Sequence, residues 1–303
     1  MNTSNSTGNY KNTEAAVKTG VNLIVFVLAS VFSYYIIQAV QRDLEMRQQI
    51  RYILLCHHLV CITAFFGLGF LFHGFRTFRV SAPRIVCWIL FDLQITFGRG
   101  VLLTLALMAI NTSLSICQPL RYLSIVHSVK RKVMIITWIL AMLNPVWSTI
   151  KLCLDVEPKY ITERDPTCPT ALSGTASRVT AMVFLFLIYI LIIISYFFIY
   201  REGKRFGHFS RTNVKGRKTI LIHGLQISFH IIPTFITIAT VNAPIVVNLI
   251  NFILFSTVQV LSPIVFGLRC QELKDKLPAF KPSCRWMCCL KKNREVRDLG
   301  NNA

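Results

Sequence analysis

Charge is what this sequence has least of. Only 15% of its 303 residues are charged, and acids are the scarcer half: 13 Asp and Glu stand against 33 Lys and Arg. A soluble domain of this length needs far more polar surface, and with 53% hydrophobic residues the chain cannot supply it. Period-two alternation is missing, which excludes a transmembrane barrel. The opening MNTSNSTGNYKNTEAAVKTG lacks a basic head followed by an apolar core, so no cleavable signal peptide is expected and the first span must serve as its own insertion signal. Ten cysteines are present, none at metal-ligand spacing, and Cys288-Cys289 is adjacent rather than C-x-x-C. No nucleophile–base or metal constellation appears, so neither an enzyme nor a cofactor is expected. No internal repeat is visible, which weakens a transporter reading. The net charge of +20 would suggest nucleic acid on a soluble surface. Here it lies in short segments between apolar runs, and topology explains it without a nucleic-acid partner.

What is there is a series of long apolar runs. Seven are read, at Val17–Val40, Arg51–Phe72, Arg84–Ile116, Val133–Leu152, Ala176–Tyr200, Lys218–Thr240 and Ile245–Leu268. Each holds about 20 apolar positions, enough for a hydrocarbon core of about 30 Å. The expected fold is an all-α membrane protein, a seven-helix bundle. Residues 1–16 form an outer N-terminus, 17–268 the bundle and 269–303 an inner tail. Lys and Arg orient it: with the N-terminus outside, twenty-three basic residues lie on the inner side against eight on the outer. The exception is the first outer loop, with Arg76, Arg79 and Arg84. Sequons at Asn2 and Asn5 fall outside by this topology and are expected glycosylation sites; a third, at Asn111, falls inside and should stay bare.

Cys87, near the outer end of the third span, and Cys168, in the long second outer loop, both face the oxidising side. A bond between them would tether that loop over the bundle mouth. Cys153 is a competing partner, and two unpaired thiols the alternative.

The inner end of the third span reads Met108-Ala109-Ile110-Asn111-Thr112-Ser113-Leu114-Ser115-Ile116-Cys117-Gln118-Pro119-Leu120-Arg121-Tyr122. This resembles the odorant-receptor form of the rhodopsin-like (class A) G-protein-coupled receptors. Ser195-Tyr196 in span five, Lys215-Gly216-Arg217-Lys218-Thr219 through His223 in span six, Ser262-Pro263-Ile264-Val265-Phe266-Gly267-Leu268-Arg269 in span seven and Trp138 in span four are similar to the same family. The resemblance covers essentially the whole chain, and Arg51-Tyr52-Ile53-Leu54 with Lys215 to Gln226 is nearest the bony-fish group. It implies a plasma-membrane receptor that binds a small odorant among spans three, five, six and seven and signals to a heterotrimeric G protein. Asn111, Thr112, Ser113, Tyr196, Pro263 and Phe266 would form the coupling region.

The departures fall in that region. The family's acidic-Arg-Tyr triplet is Asn111-Thr112-Ser113 here, and Thr112 has neither the charge nor the reach of arginine. Phe266 lacks the hydroxyl of the usual tyrosine. Span two, around Val60 to Phe65, lacks the aspartate that binds sodium in the family. A receptor-shaped binding or partner protein without the usual coupling is therefore the alternative. A transporter or channel is a further one, against which the spans show no continuous polar file.

Ionisable residues within spans are costly and are functional candidates by default. Asp92 and Arg99 are seven apart on span three and share a face, with Gln94 and Gly98 nearby. Arg99 either binds an acidic or strongly accepting ligand, or is neutralised by carbonyls, by Asp92 through water, or by an amide such as Gln226 or Asn251. His223 and His230 share a face of span six and are expected to hydrogen-bond across helices rather than bind metal. His57 and His58 are given no ligand role. Phe229, Phe235 and Phe252 either line an apolar pocket or pack the core. The expected ligand set is Asp92, Gln94, Gly98, Arg99, His230 and Phe235. Pro233 and Pro263 are expected to kink their helices. In the tail, Gln271 to Leu277 suits a short amphipathic helix, and Cys284, Cys288 and Cys289 among basic residues suit acylation as part of a two-signal anchor.

Overall fold

Hydrocarbon offers no hydrogen-bond partner to a peptide group, so long apolar segments close their backbone bonds internally as helices. The computed structural model, which describes residues 2–172, 174–205, 224–225, 228–236 and 244–269, follows that rule. Its elements are α1 (Asn2–Arg42), α2 (Leu44–Gln48), α3 (Ile50–Thr77), α4 (Arg84–Cys117), α5 (Pro119–Asp155), α6 (Pro158–Thr162), α7 (Thr175–Arg205) and α8 (Ile245–Arg269). Residues 228–236 are also helical. Among the described residues the one sheet is a pair of two-residue strands, β1 (Ala82–Pro83) antiparallel to β2 (Arg164–Asp165).

Six helices among the described residues are long and apolar enough to cross a membrane: α1, α3, α4, α5, α7 and α8. About half of Lys218–Thr240, the expected sixth span, lies outside the described residues, and the tail helix with Cys284, Cys288 and Cys289 lies wholly outside them. The molecule is an all-helical, multi-pass membrane protein. Its outward faces are apolar: Ile135, Ile139 and Leu143 on α5, and Val183, Phe186 and Ile194 on α7, are exposed.

Two helix starts differ from expectation. α1 begins at Asn2 rather than Val17, and α5 at Pro119 rather than Val133. Hydropathy locates the part of a helix that meets lipid, whereas the backbone ladder runs on through polar residues that have no breaker. Lys18 pairs with Glu14 one turn earlier at 2.6 Å on α1. Pro119 occupies the first turn of α5, where its fixed φ and missing N–H suit a helix start. The expected second inner loop is therefore helix.

α4 is central. It packs on α3, α5 and α7, while α1 packs on α3 and α8. Small residues let these helices approach closely. A Cβ placed on Gly69 would stand 2.6 Å from Gln94 Nε2 and 2.7 Å from Asn22 Oδ1, and one on Gly100 would stand 2.9 Å from Cys61 Sγ. Polar side chains bridge the same seams: Thr19 with Thr77 at 2.9 Å, Ser33 with Thr63 at 3.2 Å, and His58 with Thr104 at 3.0 Å and Ser262 at 3.1 Å.

Gly69→Val should overpack the α1–α3–α4 junction and cost about 1–3 kcal/mol. Thermal unfolding of the purified protein in detergent should show a lower midpoint, and an unchanged midpoint would mean that the junction repacks freely.

Candidate functional site

On α4, Phe91, Ile95, Gly98, Arg99 and Leu102 recur at helical spacing and form one wall of a cavity of about 530 Å³. Asn144 from α5, Phe184 from α7, Phe65 from α3, and Phe252 and Phe255 from α8 add to the lining. Such a volume falls within the range of small-molecule sites. Leu172, Ser177 and Arg178, at and before the start of α7, contribute at the end nearest the disulfide loop.

Arg99 is the cation of this wall, only 7% exposed. Its Nη2 donates to Asn144 Oδ1 at 2.7 Å, and its guanidinium lies over the Phe184 ring at 4.8 Å. The amide that meets it is thus Asn144, not Asn251, whose Nδ2 instead donates to the Pro233 carbonyl at 2.9 Å; Gln226 lies outside the described residues. Asp92 accepts a hydrogen bond from Thr149 Oγ1 at 2.5 Å, also on α5. Among the described residues its Oδ1 has no partner, and the carboxylate is not paired with Arg99.

Of the expected ligand residues, Gly98 and Arg99 line the cavity and the other four are elsewhere. Asp92 turns to Thr149 on α5. Gln94 packs over Gly69 on α3. His230 is fully buried with its ring 6.0 Å from that of His58, so His58 belongs to a polar seam between helices. Phe235 is 45% exposed and Phe229 is exposed as well; of the three phenylalanines weighed, Phe252 lines the cavity. A period of seven places residues on one face but cannot say which neighbour that face meets. Asn144 and Phe184 were missed for a plain reason: attention to ionisable residues passes over a lone amide in an apolar run, although Asn144 before Pro145 in span four is itself a polar group in hydrocarbon.

At the opposite end of α4, Asn111 accepts from Tyr122 Oη at 2.9 Å across the α4–α5 turn. Thr112 donates to the Met108 carbonyl of its own helix at 2.8 Å, and Ser113 Oγ lies 3.9 Å from Cys117 Sγ. Tyr196 packs partly buried against the core. Pro263 stands within α8, and the Phe266 side chain is outside the described residues.

Over the cavity, a disulfide joins Cys87 to Cys168 and leaves Cys153 a free thiol. Both bonded cysteines are fully buried, with Phe72 and Ala82 beside them. The β1–β2 pair continues the tie, and Arg84 donates to Glu163 at 2.5 Å and to Asp165 at 3.1 Å while its guanidinium stacks on Tyr160 at 3.8 Å. One of the three unusual loop arginines is thus a clamp. Thr167, through its hydroxyl and amide, and then Arg84 hold the Asp165 carboxyl below the ordinary aspartate range.

A multi-pass helical membrane protein with an internal cavity under a disulfide-tied loop is the class these features define. No protein-family model matches the chain. Over 201 residues, 63% of this chain, it is 25% identical to the human protein described as probable G-protein coupled receptor 148. The match covers 57% of that relative's length.

The clamp should respond to acid. Asp165 titrates lower in the folded chain than unfolded, so its contribution is complete above the ordinary value of 3.8 and is lost as pH falls through the lower folded value. Limited proteolysis by an acid-active protease between pH 5 and about 2 should show the 156–170 loop opening as pH falls, with Asp165→Asn already more open at pH 5. Equal cleavage of both forms at pH 5 would show that the carboxylate does not hold the loop.

Proposed function

We propose that this protein is a chemosensory receptor of the rhodopsin-like G-protein-coupled class, taking a small odorant-like molecule into the cavity beside α4 and signalling to a heterotrimeric G protein. The observation that carries the reading is the cavity itself, within the bundle, beneath a loop held by Cys87–Cys168, with Arg99 on its wall. Weak similarity to a probable G-protein coupled receptor supports the class. In this reading the N-terminus, Asn2 and Asn5 are outside the plasma membrane, and the α4–α5 turn faces the G protein. A ligand would bias signalling only through unequal affinity for the resting and active arrangements.

A second reading has its own observation. Thr112 donates its hydroxyl to its own helix and the Asn111 amide oxygen accepts from Tyr122, and neither residue carries charge. A receptor-shaped protein with lost or altered coupling would look the same there.

The two are separated by second-messenger assays in cells, with calcium and cyclic nucleotide read together during a ligand screen. The natural chain is compared with the triple variant Asn111→Asp, Thr112→Arg, Ser113→Tyr at matched surface expression. A ligand response from the natural chain at least equal to the variant's is the expected result and removes the second reading. Response only from the variant would favour the second reading and overturn direct signalling.

A further inference from the structure

Among the residues lining the cavity, the charged ones are both arginines: Arg99 on α4 and Arg178 on α7. Among the described residues no carboxylate lines it. Most of the remaining wall is hydrocarbon and aromatic, from Phe65, Phe91, Phe252 and Phe255 among others. From this arrangement we infer that the ligand is an organic monoanion, a carboxylic acid with an apolar body, whose carboxylate seats on Arg99 beside Asn144. The inference rests on the small-molecule reading of the same cavity and names the ligand's chemical class.

Arg99 carries the argument. A guanidinium presents five N–H donors in a planar fork. One goes to Asn144 Oδ1, and one face of the group is covered by Phe184. Neither partner brings negative charge. Asp92 is the nearest acid along the helix, yet it is seven residues away, about 10 Å along the axis, and is bonded to Thr149. A buried cation without a counter-anion is expensive, and supplying the anion recovers that cost. Carboxylate geometry matches the guanidinium fork, so a ligand acid brings the missing charge and a second hydrogen bond together.

Arg178 adds sign selectivity along the route in. It is exposed, and it precedes Phe184 by six residues on α7, about 9 Å nearer that helix's start. Two cations of the same sign along one cavity attract an anion towards it and repel an amine. A neutral odorant of the same shape would gain the apolar contacts and leave Arg99 unneutralised.

The test uses the full chain reconstituted in phosphatidylcholine nanodiscs. The probes are straight-chain acids from hexanoic to dodecanoic and a set of aryl-alkanoic acids, each paired with its primary amide. Binding is read by saturation-transfer NMR and by the shift in unfolding temperature. At least one acid should bind about tenfold or more tightly than its amide, in line with a hydrogen-bonded charge. Arg99→Gln should remove that preference while leaving amide affinity within about threefold, since only the charged contact is lost. Arg99→Lys should retain part of it. Asn144→Asp, which leaves Arg99 in place but gives it an internal anion, should also abolish acid preference, so the proposal does not hang on one variant's folding. Amides binding as well as acids, with Arg99→Gln silent, would overturn the anion assignment and leave the small-molecule reading standing. Stabilisation by sodium chloride alone, with no acid competing, would likewise overturn it. No binding by any acid or amide would overturn both.

Discussion

Lipid gives a buried polar group nothing to bond to, and this bundle is organised around that constraint. The backbone meets it by closing into helices. Side chains meet it in pairs across the seams: His58 reaches Thr104 and Ser262, Thr149 reaches Asp92, and Arg99 reaches Asn144. Each such bond fixes the rotation of one helix against another, because breaking it would strand a donor or acceptor in hydrocarbon. α4, which holds a partner in three of these four bonds, therefore sets the frame into which α3 and α5 fit.

The same constraint explains why the cavity is where it is. Residues on the α4 face that meets α5 are paired by it at Asp92 and Arg99. One residue round the helix from Arg99, Gly98 lacks a side chain, and Phe65 and Phe184 reach in from the flanking helices without filling the space between. The α4 and α5 walls of the cavity are held to each other by Arg99–Asn144, which lies in the lining itself, and by Asp92–Thr149, outside it. The covalent tie at Cys87 and the arginine clamp at Arg84 act on the same helix end, so the loop above and the wall below share one support.

Much of this was legible in the residues. Runs of about 20 apolar positions located six helices because hydrocarbon thickness sets a minimum length. The Cys87–Cys168 pairing was open to competition from Cys153, and fold topology decides it, since only Cys168 is carried back over α4. Helix starts at Asn2 and Pro119 were not readable from hydropathy, which is blind to helix that continues into water. The site was half legible. Arg99 and Gly98 stand out as a charge and a gap in an apolar run, but their partners Asn144 and Phe184 come from other helices, and one sequence carries no signal for which helices become neighbours. His230 and Phe235 stand five residues apart, about 140° round a helix, so with His230 turned inward to His58 the Phe235 ring faces outward.

The early start of α5 has a mechanical side. From Asn144, which grips Arg99, to Pro119 the helix runs unbroken for 25 residues, about 38 Å at 1.5 Å per residue. It is a long arm with its fulcrum beside the cavity. By that length a swing of about 5° at Asn144 would carry the far tip through about 3 Å, so the helix magnifies at Pro119 any tilt made beside the cavity.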